Sequence, residues 1–198
     1  TVQVNPVNDA PQAVDDAASV DEDSSVTIDV LDNDSDVDQL YEGDTLAVSA
    51  VDGVDNGSYS IVSDNQSIQF TPNANWNGTE IFTYTASDSH GAESSATVTV
   101  TIAPQEDSSI AVNDTASVNE DDSVAIDVLD NDIDADLAYG DSLSVVSVTD
   151  VVHGEVSLAA DHLSITYAPP ADWNGTETFS YTMEDAGHST SSALVTVT

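Results

Sequence analysis

One stretch of this chain is written twice and concentrates negative charge that no basic residue offsets. Asp29 to Asp44 reads DVLDNDSDVDQLYEGD, and Asp127 to Asp141 reads DVLDNDIDADLAYGD. Each copy sets carboxylates at alternate positions (Asp34, Asp36, Asp38 and Asp132, Asp134, Asp136) directly after an apolar, β-branched run, and each closes with Gly-Asp. The chain contains no Lys or Arg to neutralise them. Three carboxylates about 5 Å apart repel by roughly 3 kcal/mol per pair at an effective dielectric of ~20. An ordinary domain is stable by only about 5–15 kcal/mol in total. A folded loop of this composition therefore needs full exposure to water or a bound cation. Oxygen ligands on a short loop suit a hard cation with about six to eight of them, which points to Ca2+ before Mg2+ and well before zinc. The competing reading is that Asp and Asn only make turns through their own side chains. Repetition of the whole pattern without a single basic residue weighs against it.

The formal charge of −38 and a pI near 4.1 exclude electrostatic binding to nucleic acid or an anionic membrane, because both need clustered basic residues. High net charge is also a mark of disorder, but here 39% hydrophobic residues fall in regular alternation, which argues for folded strands. Only nine of the 38 acids are Glu, whereas a merely solubilising surface would draw on both acids; metal loops and turns favour the shorter one. With no cysteine, nothing depends on redox state and no thiolate metal site exists. Neither an apolar run of about 18 residues nor a basic-then-apolar leader is found, so the expectation is an excerpt of something longer, without membrane span or signal peptide.

Self-similarity sets the domain organisation. AVDDAASVDEDSSVTIDVLDND at Ala13–Asp34 matches AVNDTASVNEDDSVAIDVLDND at Ala111–Asp132 with an offset of 98. FTPNANWNGTEIFTYTASD at Phe70–Asp88 matches YAPPADWNGTETFSYTMED at Tyr167–Asp185 with an offset of 97. Residues 1–10 are expected to be the end strand and linker of a preceding repeat, 11–104 a first repeat and 105–198 a second. Within one repeat, alternating segments occur at Ala13–Val20, Val26–Leu31, Thr45–Val51, Gly57–Val62, Ser67–Thr71, Glu80–Ser87 and Ser94–Ile102. Seven short strands punctuated by Gly, Asn, Asp and Pro predict an all-β fold: two tandem seven-stranded antiparallel Greek-key β-sandwich domains. Phe82, Tyr84 and Ala86 should face the core and Ile81, Thr83 and Thr85 the other way.

Strand parity then sorts the acids. Where the chain comes into the first repeat, the even loops gather Asp34, Asp36, Asp38, Asp44, Asp64 and Asp88 beside Asn8 and Asp9. Where it leaves, the odd loops gather Glu22, Asp23, Asp52 and Asp55 beside Glu106 and Asp107. Asp132, Asp134, Asp136 and Asp185 repeat the first arrangement, so the junction of the two repeats is expected to be a multi-cation site.

VNDAP, the Glu-Asp of DEDSSVTIDVL, the loop NDSDVD with its GDTLAVSAV, and TPNANWNGTEIFTYTASD resemble the tandem cadherin-like and immunoglobulin-like extender repeats of very large bacterial surface adhesins, including those with RTX tails. The resemblance covers nearly the whole chain in two copies. It implies several Ca2+ ions at domain ends and junctions, stiffening an extended stalk for cell adhesion and biofilm formation. It further implies an extracellular location on the bacterial surface, neighbouring repeats of the same polypeptide as partners, a monomeric chain, and no catalysis. By motif, the implied ligands are the pairs Glu22, Asp23 and Glu120, Asp121, the linker acids Asp9, Glu106 and Asp107, and Asp88 and Asp185. The loops add Asp34, Asp36, Asp38 and Asp44 in one copy and Asp132, Asp134, Asp136 and Asp141 in the other. Two departures stand out: QLYE and LAY separate the loop acids from Gly-Asp, and the second linker reads APQEDSS where the first reads PVNDAP.

Other constellations carry less. Trp76 and Trp173, both in WNGTE, could stack on a sugar, which makes a carbohydrate-binding module the alternative function; the plainer reading is that each caps an open end of a core. His90 and His188 lie in equivalent loops and read as solvent-exposed residues, lacking the spacing of a metal site. Adjacent acids such as Asp15 and Asp16 arise by chance at this composition, and no nucleophile–base arrangement accompanies them. Asn77 and Asn174 match a glycosylation pattern in a duplicated turn setting, and no glycine-rich calcium nonapeptide occurs.

Overall fold

A computed structural model describes residues 2, 3, 5, 7–40 and 43–198. Thr1, Val4 and Pro6 of the expected preceding strand, and Tyr41 and Glu42 of the first acidic loop, lie outside the described residues. The chain divides into unit 1, Thr1–Gln105, and unit 2, Glu106–Thr198.

All seven expected strands of unit 1 form: β1 (Asp16–Asp21), β2 (Val26–Ile28), β3 (Ala47–Asp52), β4 (Gly57–Ile61), β5 (Ile68–Pro72), β6 (Gly78–Ser87) and β7 (Glu93–Ala103). They make a four-stranded sheet in the order β1-β7-β6-β3 and a three-stranded sheet in the order β2-β5-β4. Unit 2 repeats this with β8 (Asp114–Ala116), β9 (Val124–Ile126), β10 (Ser144–Val148), β11 (Glu155–Leu158), β12 (Ile165–Ala168), β13 (Glu177–Glu184) and β14 (Thr190–Val197). Its sheets run β10-β13-β14-β8 and β11-β12-β9. The expected all-β sandwich is what each unit adopts, with one pairing per unit that is not antiparallel. β1 runs parallel to β7, and β8 parallel to β14, because the first strand crosses to the edge of the sheet that holds the last.

The core lies between the sheets of each unit. Phe82, Tyr84 and Ala86 of β6 are buried as the alternation requires, while Ile81 on the opposite face is exposed. Phe70 of β5 stacks on Phe82 across the gap at 5.8 Å between ring centres, and Tyr167 on Phe179 at 6.1 Å. Simple alternation fails in β3, where a bulge between Val48 and Ala50 sends both Val48 and Val51 inward; β10 has the same bulge between Val145 and Ser147.

The second strand stops short of its expected end. After Ile28 the chain turns, the Asp32 N–H donating to the Asp29 carbonyl at 3.1 Å and the Asp34 N–H to the Leu31 carbonyl at 3.2 Å. Asp and Asn favour such turns, and Val30 is still fully buried from within the turn, so hydrophobicity alone made this segment read as strand. Reciprocal backbone bonds between Gln12 and Ser35 then fix the start of the acidic loop to the incoming chain.

Gly57 shows how tightly β4 lies on β5: a Cβ there would meet the Thr71 carbonyl oxygen at 2.6 Å and the Phe70 ring at 2.7 Å. Gly57→Ala is expected to lower the unfolding free energy by about 1–3 kcal/mol in urea melts, as overpacked cores do.

Candidate metal centres

The acidic loops are shaped by their own carboxylates. Asp36 Oδ1 accepts the Asp38 N–H at 2.8 Å, and Asp38 Oδ2 accepts the N–H of Asp9 at 2.7 Å. In unit 2, Asp134 Oδ1 accepts the Asp136 N–H at 2.8 Å and Asp136 Oδ2 the N–H of Asp107 at 2.7 Å. A 3-10 turn follows in each copy, Val37–Leu40 and Asp136–Tyr139, and in both the linker backbone is strapped onto the loop.

In unit 1 this brings Asp9, Asp36, Asp38, Asp44 and Asp88 to one end, joined by Asn8, Ser89 and His90. Asp44, Asp88 and His90 each place a ligand atom within 4.8 Å of the others. Asp44 Oδ1 accepts the N–H groups of Thr45 at 2.8 Å and Ser89 at 2.9 Å together with the Ser89 hydroxyl, while Oδ2 lies 3.3 Å from His90 Nδ1. Asp88 Oδ1 accepts the N–H groups of His90 at 2.9 Å and Ala92 at 2.8 Å, and Oδ2 the Asn8 amide at 2.8 Å. The Ser89 hydroxyl first, with further N–H donors and His90, outweighs burial and brings Asp44 down to about 2. The Asn8 amide foremost holds Asp88 below the ordinary carboxylate value. Asp36, 7% exposed, keeps one buried oxygen, Oδ2, with no donor. Asp64 lies across a shallow cleft shared with Asp29, Asp32 and Asp44.

Unit 2 places Glu106, Asp107, Asp134, Asp136, Asp141 and Asp185 together, and here donors are scarce. Ligand oxygens of Glu106, Asp136 and Asp141 lie within 4.8 Å of one another. Asp141 Oδ1 accepts N–H groups of Ser142 at 2.6 Å and Ala186 at 3.1 Å, and Asp185 Oδ1 that of Ser189 at 2.8 Å. Buried oxygens Asp134 Oδ2, Asp141 Oδ2 and Asp185 Oδ2 have no hydrogen-bond donor. Desolvation, and then the charges of Asp141, Asp136, Asp185 and Asp134, raise the pKa of Glu106; desolvation also raises Asp134. Orphaned, mutually repelling carboxylate oxygens made only of hard donors fit a cation chemically.

Asp34 and Asp132 are engaged elsewhere. Both oxygens of Asp34 lie 2.9 Å from the buried Tyr84 hydroxyl, which also meets the carbonyls of Val30 at 2.9 Å and Val14 at 3.2 Å. Asp132 does the same with Tyr181, Val128 and Val112. One hydroxyl proton cannot serve four acceptors, so the site is short of protons. Burial, and then the charge of Asp34, push nearby Asp16 up to about 6; Asp114 rises to about 6 through burial and Asp132. Glu22, Asp23, Glu120 and Asp121 belong to the opposite end of their units. Glu22 is 2% exposed and accepts the Gln105 N–H at 2.5 Å; Asp23 and Asp121, at φ 59 and 70, accept N–H groups of Asn75 and Asp172, and Glu120 is exposed.

Several residues carry roles that sequence reasoning passed over. Glu80 and Glu177, buried on the core face of β6 and β13, accept backbone N–H groups of Asp55 and Asn56 and of Val152 and His153 respectively. Burial opposes ionisation of Glu177, but those N–H groups and the His153 ring outweigh it and hold the carboxyl below its ordinary value. The His153 ring also stacks on Trp173 at 4.7 Å. Trp76 packs against the core of unit 1, and His188, though exposed, is bonded to Glu184, which raises its pKa. The signal for Glu80 and Glu177 was present in the repeated WNGTE, where an acid stands on the apolar face of a strand.

This sandwich, with its first strand parallel to its last and acids gathered at the strand ends, belongs to the class of cadherin-like and Ig-like repeat domains. Residues 8–104 match the bacterial cadherin-like domain family and residues 106–198 the bacterial Ig domain family, and the chain is a tandem of the two. Mouse cadherin-23 EC22-24 superposes with a TM-score of 0.60 at 17% identity, over 96% of this chain and 63% of that one. Human CDH23 EC21-23 gives 0.60 at 15% identity over 96% and 68%, and protocadherin gamma C5 EC1-3 gives 0.53 at 12% over 95% and 67%. The chain spans 40% of the human desmocollin-1 ectodomain, which it also resembles. No curated protein matches the chain. Among the described residues no helix is long and apolar enough to cross a membrane.

Two outcomes follow from the buried acids. A carboxyl whose pKa is raised from 3.8 to about 6 binds its proton more tightly in the fold, so its ionisation costs stability as pH rises through that window. Asp16→Asn and Asp114→Asn are therefore each expected to raise the unfolding free energy in denaturant melts at pH 7.5 by on the order of 1 kcal/mol after solvent screening, with the gain vanishing at pH 3.5. Glu177→Ala should cost about 2–3 kcal/mol in denaturant melts at pH 7, because the N–H groups of Val152 and His153 lose the charged acceptor that gathers their loop.

Proposed function

We propose that this chain is a pair of calcium-binding, non-catalytic extender repeats from a large secreted bacterial cell-surface adhesin, where they hold a distal adhesive part away from the cell. The observation that carries this reading is the unit 2 cluster, in which Asp134, Asp141 and Asp185 each keep a buried oxygen without a donor beside Glu106 and Asp136. Ca2+ is the cation this set favours, since every ligand is a hard carboxylate oxygen. Glu106, Asp107, Asp134, Asp136, Asp141 and Asp185 would hold it in unit 2, and Asp9, Asp36, Asp38, Asp44 and Asp88 in unit 1. Its contribution would be charge: it cancels the repulsion that otherwise loosens the loop from the linker. The extracellular, bacterial-surface setting draws support from the two domain families, and the absence of any Lys or Arg suits a calcium-rich exterior.

A carbohydrate-binding role draws no support from the tryptophans. Trp76 is packed on its core and one face of Trp173 is covered by His153.

Thermal melting of the intact chain in EDTA and in Ca2+ tests the proposal. With Ca2+ about a hundredfold above its Kd, one site adds about 2.7 kcal/mol, which for a unit of this size raises the melting temperature by on the order of 10 °C. Equal melting temperatures in the two buffers would reject it.

A further inference from the structure

We propose that the two units bind Ca2+ unequally: the unit 2 cluster is the tight site, and the corresponding place in unit 1 is weak because donors from the protein already occupy it. This rests on the calcium reading above and concerns which residues decide the affinity.

Three exchanges between the copies separate the sites. Asn8 corresponds to Glu106, Ser89 to Ala186 and His90 to Gly187, at the offsets of 98 and 97 that align the repeats. In unit 1 all three supply donors. The Asn8 amide holds Asp88 Oδ2 at 2.8 Å, the Ser89 hydroxyl bonds Asp44 Oδ1, and the His90 ring faces Asp44 Oδ2 at 3.3 Å. A cation entering there has to displace an amide and an imidazole from the carboxylates it needs, and imidazole is a poor partner for a hard ion. Among the described carboxylates of this cluster, Asp36 Oδ2 alone stands buried without a donor, so the site is weak and not abolished.

In unit 2 the same three positions supply none of these donor side chains. Glu106 adds an acceptor where Asn8 gave a donor, Ala186 offers only its N–H, and Gly187 has no side chain. The space above Gly187 is filled by Glu106 itself: a Cβ there would lie 2.8 Å from Glu106 Oε2 and 3.4 Å from Asp185 Oδ1. Asp185, 4% exposed, keeps Oδ2 without a donor, as does Asp141. An ion here meets oxygens that have lost water and gained nothing in exchange, and among the described residues it meets one carboxylate more than in unit 1. Ligand charge count and a pre-formed loop are the quantities that set affinity among calcium loops.

Calorimetric titration of the intact two-unit chain with Ca2+ tests this. Two classes of site are expected, separated by at least about tenfold in Kd. Glu106→Gln with Asp185→Asn should remove the tight class. The triple variant Asn8→Glu, Ser89→Ala, His90→Gly should gain about tenfold in the weak one, and it serves even if the first variant fails to fold. One uniform class, a tight class that survives the unit 2 changes, or a triple variant that binds no tighter would each overturn the assignment while leaving calcium binding in place. No heat of binding at all would overturn the calcium reading, and this inference with it.

Discussion

The constraint on which the whole structure turns is a shortage of hydrogen-bond donors. A chain with 38 acids and no Lys or Arg must satisfy its buried carboxylates from backbone N–H groups, hydroxyls, amides and four histidines. Much of the loop structure is explained by that search. Asp36 and Asp134 turn back to catch an N–H two residues on, and Asp88 caps the turn that carries His90 and Ala92. Glu80 and Glu177 reach from a core strand to gather a neighbouring loop. Where the search fails, buried oxygens are left over, and three of them, Asp134 Oδ2, Asp141 Oδ2 and Asp185 Oδ2, lie together at the end of unit 2 where the linker meets the acidic loop.

The duplication separates what the fold requires from what a site varies. The bulge in β3 and β10, the stacked aromatics across the two sheets, the tyrosine hydroxyl facing Asp34 or Asp132, and the buried Glu of WNGTE are the same in both units. All of these act inside the sandwich or at its immediate edge. Around the carboxylates the copies differ: Asn8 against Glu106, Ser89 and His90 against Ala186 and Gly187, and a loop shorter by one residue. Two copies of one scaffold thus surround the same acids with different donor sets.

The strands were legible where alternation is strict. β6 and β7 could be read almost to the residue from Phe82, Tyr84, Ala86 and Val98, Val100, Ile102. Val30 defeated that reading, since it is buried from a turn and its neighbours look like strand. The gathering of Asp36, Asp38, Asp44 and Asp88 with Asp9 followed from counting strand directions, a topological fact that needs no side-chain detail. What counting could not give was which acid pairs with what. Asp34 sits in the same acidic run as Asp36 yet turns to Tyr84, because a buried hydroxyl 50 positions away competes for it. His90 looked like a bystander since its partner Asp44 lies 46 residues distant, across a loop whose closure only the fold defines.

The parallel edge pairing has a mechanical side. Tension applied at the two ends of a unit pulls its first and last strands in opposite directions along their length, so the bonds between them are loaded in shear and resist as a group instead of unzipping singly. That clamp spans six residue pairs between β1 and β7, from Asp16 with Val98 to Asp21 with Ala103, but only three between β8 and β14. Stretched end to end, the chain carries its shorter clasp in unit 2, the same half whose acidic loop has the fewest internal donors.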